Sequence, residues 1–175
     1  EKVTYFEGNT TYNIRSAFGR YMIKDSKGNA VFKPAGKQSM ATNLGIVIDK
    51  KTLKYQIQYI DYSDKSKQGK KAPRWNLVEK NSKVFFSRGS YSDKSDMWEF
   101  DFDAGKSLAY FIKNVRTRNT LYLETAKNAF TLTTGRQSED KHAQFTVERS
   151  NFVAVGCYKD KINANLQYYA GASNS

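Results

Sequence analysis

The residue types that carry covalent catalysis are scarce in this chain. It contains one histidine, His142, and one cysteine, Cys157. A nucleophilic triad would have to use His142 as its base, yet no Gly-x-Ser-x-Gly elbow stands near it. One histidine and one cysteine cannot supply the four ligands of a structural zinc site, and no glycine-rich phosphate loop precedes a helix. The sequence therefore predicts a non-enzymatic protein with no catalytic residue, no metal and no cofactor.

Three carboxylates, Glu99, Asp101 and Asp103, alternate with aromatic residues along residues 98–103. Same-face neighbours in a strand lie about 7 Å apart. That spacing is too wide for two of them to hold calcium without other ligands, although it is compatible with a glycosidase pair. We interpret them as the outward face of a half-buried strand.

The chain is basic, with 29 Lys and Arg against 17 Asp and Glu, a net charge of +12. This balance favours an anionic partner, and it also serves solubility. The charge is scattered along the chain, which argues against nucleic acid. A basic loop stands out between two apolar segments, and its lysines would act as flexible point charges toward a diffuse polyanion. Its alternative role is a solvated loop. The candidate polyanion-binding residues are Lys65, Lys67, Lys70, Lys71 and Arg74.

The elements that would position these residues are predicted to be strands. Twelve tyrosines and eleven phenylalanines favour strands, and several segments alternate apolar and polar residues with period two. A Tyr-x-Ile signature opens three segments, at Tyr12, Tyr55 and Tyr110. No helix-length period is convincing. We predict an all-β fold of three four-stranded repeats, with strands at about 11–16, 19–25, 29–34, 44–49, 53–62, 74–80, 83–88, 97–103, 107–115, 120–125, 129–134 and 143–149.

This arrangement resembles a β-trefoil over about residues 5–150. The third repeat, through residues 120–124, 129–132 and 143–147, looks like the ricin-B-type lectin repeat. The closing strand of that family often carries Gln-x-Trp, whereas this chain has Gln144-Phe145. Trefoils also serve as growth factors, protease inhibitors, actin bundlers and toxin-binding domains, so the resemblance is more specific for fold than for function.

The resemblance implies a shallow sugar pocket in one or more repeats. An acidic residue binds sugar hydroxyls, an aromatic ring covers the C–H face, and later polar side chains complete the hydrogen bonds. The acid of the third repeat is Glu124, while Lys24 and about Ser87 stand there in the first and second repeats. We therefore expect one site, in the third repeat. Its candidate ligand-binding residues are Glu124, Tyr122, Arg136, Gln137 and Gln144.

The C-terminal tail departs from the repeat. Residues 152–160 resemble the opening of a WSC-type domain, an extracellular disulfide-bonded module, which would give Cys157 a partner outside this sequence. The alternative is an ordinary strand with a free thiol. We predict a trefoil domain over residues 1–150 and a linker or the start of a second module over 151–175, in a chain processed or excised from a longer one.

An extracellular location is favoured by that tail together with a glycosylation sequon at Asn9. No apolar run approaches the roughly 18–20 residues of a membrane span. The predicted function is that of a secreted, lectin-like module for acidic or sulfated glycans. Alternatives are a structural or adhesive module that binds extracellular proteins or itself, the receptor-binding domain of a toxin, and a cytosolic trefoil such as an actin bundler.

Overall fold

Antiparallel strands make up almost all of the regular structure. The computed structural model describes residues 6–7, 10–34, 44–64, 66–67, 71–103, 109–127, 129–132 and 140–150. Within them lie twelve strands and two short 3-10 helices, Thr125–Lys127 and Lys141–Ala143, and no α-helix. All predicted strands are confirmed, with ends that differ by two residues or fewer. The strands are β1 Tyr12–Ser16, β2 Arg20–Lys24, β3 Ala30–Pro34, β4 Leu44–Asp49, β5 Lys54–Ile60, β6 Arg74–Lys80, β7 Lys83–Ser87, β8 Trp98–Asp103, β9 Ala109–Asn114, β10 Leu121–Glu124, β11 Ala129–Leu132 and β12 Phe145–Arg149.

Six strands close into a barrel. Strand β1 pairs with β12 and β4, β12 pairs with β9, β9 with β8, β8 with β5, and β5 with β4, all antiparallel. These are the first and fourth strands of each repeat. Closure removes the open sheet edges that would otherwise expose unpaired backbone groups.

The remaining six strands form three hairpins, β2–β3, β6–β7 and β10–β11, which contact one another at one end of the barrel. Strand β11 pairs with β3 and with β7. The turn of the first hairpin joins the second, where the backbone nitrogen of Phe86 donates to the carbonyl oxygen of Gly28 at 2.7 Å. Gly28 has a φ of +92°, and an added Cβ would lie 3.3 Å from the Phe86 carbonyl oxygen. A barrel capped by three hairpins in threefold arrangement is a β-trefoil.

Residues of the Tyr-x-Ile signature form part of the core of this trefoil. Tyr12, Ile57 and Ile112 are buried in the barrel. Trp98, the first residue of β8, is fully buried, and its indole nitrogen donates to the carbonyl oxygen of Leu77 at 2.9 Å. This hydrogen bond ties a barrel strand to the second hairpin.

The carboxylates of β8 are tied to cations. Glu99 pairs with Lys54 at 2.5 Å and with Arg118 at 3.1 Å, and the hydrogen bonds from Arg118, followed by those from Lys54, lower the pKa of Glu99. Asp101 lies 3.6 Å from the ammonium of Lys113. The side chain of Asp103 lies outside the described residues. These ion pairs support the interpretation of β8 as a strand with a solvated outward face.

One buried carboxylate, Asp96, is poorly compensated. Its Oδ2 accepts from the side-chain amide of Gln56 at 3.2 Å, while Oδ1 has no partner in the described part of the chain. Burial raises the pKa of Asp96, because desolvation disfavours its charged form. Because the folded-state pKa is raised, the charged carboxylate lowers the free energy of unfolding at pH values above that pKa. This destabilisation disappears as the pH falls through the folded-state pKa.

We therefore expect Asp96→Asn to increase the free energy of unfolding at about pH 7, and to lose that advantage toward about pH 3, where the wild-type carboxyl is also neutral. Thermal melts of both proteins across this range check the prediction. A variant that is less stable than the wild type at every pH would contradict it.

Candidate functional site

The outward face of β10 carries two of the candidate ligand-binding side chains. Leu121 and Leu123 are fully buried, so the alternate residues Tyr122 and Glu124 lie on the opposite, partly exposed face. Period-two alternation places both candidate residues on one surface.

Tyr122 is the first ring of an aromatic row. Its ring stacks on His142 with centroids 4.9 Å apart and an interplanar angle of 13°. Phe18, from the β1–β2 turn, lies on His142 with centroids 4.9 Å apart and is 43% exposed. The row therefore joins the first and third repeats and exposes an apolar edge to solvent.

His142 is held in one orientation by backbone groups. Its Nδ1 lies 2.8 Å from the carbonyl oxygen of Leu123. A carbonyl oxygen only accepts, so Nδ1 carries the proton. The backbone nitrogen of His142 donates to Asp140 Oδ1 at 2.8 Å. In the described residues Nε2 has no hydrogen-bond partner, which leaves it available to a ligand.

Glu124 supplies the negative charge of this surface. Its carboxylate makes no hydrogen bond or ion pair with any described residue. Burial raises the pKa of Tyr122, and the charges of Asp140 and Glu124 raise it further. Both carboxylates therefore contribute negative charge to the surroundings of Tyr122.

The other predicted residues of the third-repeat site are less well defined. Gln144 is half-buried and directly precedes β12, two residues after His142. Arg136 and Gln137 lie outside the described residues. The arrangement thus brings Tyr122, Glu124 and His142 together beside the segment that holds Gln144.

Sequence reasoning missed two members of this site. From the sequence, His142 is considered only as a catalytic base, whereas the structure places its ring on Tyr122. Phe18 lies more than a hundred positions away in sequence and reaches the site only through the closure of the barrel by β1 and β12. A signal for the His142 turn is present in the sequence, because an aspartate stands five residues before the fourth strand in both the second and the third repeat. Asp93 accepts from the Ser95 nitrogen in the second repeat, as Asp140 accepts from the His142 nitrogen in the third.

The first two repeats differ at the corresponding place. Lys24 ends β2 and lies over aromatic rings of the second repeat. Ser87, suggested by the sequence as the second counterpart, lies opposite Asn76 at the end of β7. The residue that ends β6 is Lys80. The assignment of Ser87 is therefore wrong, because Ser87 ends the third strand of its repeat whereas Glu124 ends the second strand of its own.

The basic loop is only partly described. Lys67 and Lys71 are exposed, whereas Arg74 is half-buried and donates through Nη1 to Gln58 Oε1 at 2.9 Å. Lys65 and Lys70 lie outside the described residues, as do Asn9 and the tail with Cys157. No group of three His, Cys, Asp or Glu side chains in the described ranges could hold a metal ion. The same ranges contain no helix with the length and apolar character of a membrane span.

Comparison with known proteins supports the fold. No family model matches the sequence, and no curated protein matches it. Among solved structures, the BEL β-trefoil superposes with a TM-score of 0.66 at 13% identity, over 86% of this chain and 100% of that one. The designed threefold-symmetric protein ThreeFoil superposes with a TM-score of 0.57 at 13% identity, over 79% and 97%.

A larger protein also contains this fold. A GlcNAcα1-4Gal-releasing endo-β-galactosidase from Clostridium perfringens superposes with a TM-score of 0.62 at 9% identity, over 81% of this chain. The chain spans 32% of the length of that enzyme. At these identities the similarity establishes the β-trefoil fold.

Proposed function

We propose that this β-trefoil is a carbohydrate-binding, lectin-like module without catalytic activity. The observation that carries the proposal is the carboxylate of Glu124, which has no hydrogen bond or ion pair with any described residue, beside the aromatic row of Tyr122, His142 and Phe18. A carboxylate can accept hydrogen bonds from two sugar hydroxyls, and the face of an aromatic ring can cover the C–H side of the sugar. Nε2 of His142 adds an acceptor, and Gln144, Arg136 and Gln137 are the proposed companions.

The net charge of +12 favours acidic or sulfated glycans as ligands. Exposed Lys67 and Lys71, with Lys65, Lys70 and Arg74, would increase their local concentration without fixing their orientation. We further propose an extracellular, secreted setting with glycosylation at Asn9. Support comes from the sequon and from structural similarity to a mosquitocidal holotoxin, at 14% identity and a TM-score of 0.60, of which this chain spans 16%.

A glycan array carrying neutral, sialylated and sulfated species tests the proposal. It should be run at about 20 mM and about 150 mM salt, since surface electrostatic attraction weakens as the Debye length shortens. We expect selective binding that persists at the higher salt. Binding of every polyanion, and only at low salt, would instead assign glycan binding to the basic loop. A Lys67→Gln/Lys71→Gln variant would then lose this binding. No binding at either salt would overturn the proposal in favour of a structural or adhesive module.

A further inference from the structure

Two cations and two aromatic rings meet between the first and second repeats. We call Lys24, Tyr59, Trp75 and Arg88 the Trp75 cluster. The ammonium nitrogen of Lys24 lies 5.0 Å from the centre of the Trp75 ring and 5.2 Å from that of Tyr59. The guanidinium carbon of Arg88 lies 5.2 Å from the centre of Trp75. One indole ring thus gathers two positive charges at short range.

The fold determines this meeting. Trp75 and Tyr59 are paired across β6 and β5, and their ring centroids are 5.7 Å apart. Lys24 ends β2, whose hairpin is attached to the second repeat through Gly28 and Phe86. Arg88 directly follows β7. All four side chains therefore start from strands or strand ends.

Neither cation of the cluster has a carboxylate partner in the part of the chain that the structure describes. The Lys24 ammonium donates to the backbone carbonyl of Asp25 at 3.2 Å. The Asp25 carboxylate is occupied by its own turn, where it accepts from the backbone nitrogens of Lys27 and Asn29. Asp61 acts on Tyr59, whose pKa is raised by burial and then by that charge, and it accepts from the Ser63 nitrogen.

The other described cations have several kinds of partner, and Arg20 also lies over an aromatic ring, that of Phe32, at 5.3 Å. Six of them lie against carboxylates: Arg15, Lys54, Lys113, Arg116, Arg118 and Arg149. Cation–π contacts orient the Lys24 and Arg88 side chains without neutralising their charge. Two oriented cations that lack a carboxylate partner among the described residues make the surroundings of the Trp75 ring positive, and partial burial strengthens ion pairs relative to those in water.

We propose that the Trp75 cluster binds the anionic group, sulfate or carboxylate, of an acidic sugar residue. This inference deepens the proposed carbohydrate-binding function and rests on it. Arg88 offers a planar fork of N–H donors that matches an oxyanion, Lys24 adds a point charge, and the indole and phenol rings border the anion with apolar surface. None of its four residues is among the basic-loop candidates, of which Lys67 and Lys71 are exposed.

Tryptophan fluorescence gives a direct readout, because the chain has two tryptophans and Trp98 is fully buried. A heparin-derived hexasaccharide is titrated into the full chain at about 150 mM salt. We expect saturable change in indole emission that Trp75→Phe abolishes. Desulfated and carboxyl-reduced forms of the hexasaccharide identify which anionic group is recognised. An unchanged emission in the wild type, with binding detected by calorimetry, would overturn the proposal.

Charge-matched variants separate this site from general attraction. Lys24→Gln/Arg88→Gln should weaken hexasaccharide binding by about tenfold or more, because hydrogen bonds to charged groups contribute factors of that order. Lys80→Gln/Lys83→Gln removes the same charge from exposed positions in the β6–β7 hairpin and should change binding by less than about twofold. Equal losses in both variants would overturn the proposal, as would equally tight binding of a single-stranded oligonucleotide.

The two proposals fail separately. If neutral glycans bind through Glu124 while Lys24→Gln/Arg88→Gln leaves acidic glycans unaffected, the cluster proposal is wrong and the lectin proposal stands. If only acidic glycans bind, and they need Lys24 and Arg88 but not Glu124, then the third-repeat site is wrong and the cluster proposal stands.

Discussion

Replacing Trp98 with alanine should lower the free energy of unfolding by about 3–5 kcal/mol, the range found for large aromatic residues removed from cores. The Trp98 side chain is fully buried, and its indole nitrogen holds the Leu77 carbonyl oxygen at 2.9 Å. The substitution opens a cavity between the barrel and the second hairpin and leaves that carbonyl without its donor. Since a domain has about 5–15 kcal/mol of stability, urea denaturation should register a large shift of the midpoint.

Two further variants identify the cause of this loss. Trp98→Phe keeps most of the ring but removes the donor, so it should cost about 1–3 kcal/mol, the penalty of an unsatisfied buried group. Trp75→Phe changes the other tryptophan, which is half-buried, and should cost clearly less than Trp98→Ala. If Trp98→Ala were no more destabilising than Trp75→Phe, the role of Trp98 as the link between barrel and hairpin would be refuted.

The strands could be predicted because their local pattern and their long-range partners agree. In β10, Leu121 and Leu123 alternate with Tyr122 and Glu124, and only one register buries both leucines. A shift by one residue would expose the apolar face. The Tyr-x-Ile signature predicted barrel strands for a similar reason, because Ile14, Ile57 and Ile112 are all buried in the barrel core.

The neighbourhood of the candidate sites could not be predicted, because it depends on which strand ends meet in space. Phe18 reaches His142 only after β1 pairs with β12. In the sequence, Lys24 is notable only because it stands where the third repeat has the acid Glu124. In the structure it lies over the ring of Trp75, a residue far away in sequence that the contact between the first two hairpins brings close. A single sequence carries no local signal for such pairs, since the burial period of a strand indicates which face is buried but not which distant strand end or turn lies beside it.

Replacing Glu124 with glutamine should weaken binding of the glycan with the strongest array signal by about tenfold to a hundredfold. Hydrogen bonds to a charged group contribute about 1.5–3 kcal/mol each, and glutamine is nearly the same size but keeps a single neutral acceptor. The fold should be unaffected, because Glu124 has no ion pair or hydrogen bond within the described residues. Calorimetric titration at about 150 mM salt, together with a thermal melt of the variant, measures both effects.

The matched control for this experiment is Asp101→Asn, which removes one negative charge from an exposed position of β8 that lies 3.6 Å from the ammonium of Lys113. Exposed pairs of this kind contribute about 0–1 kcal/mol, so this variant should retain both stability and glycan affinity. Both variants raise the net charge equally, and any gain in general attraction to anionic glycans appears in both. A loss confined to Glu124→Gln would identify the carboxylate as a ligand contact. Full affinity in Glu124→Gln would remove the third-repeat face from the proposed function, and the Trp75 cluster would then be the remaining sugar-binding candidate.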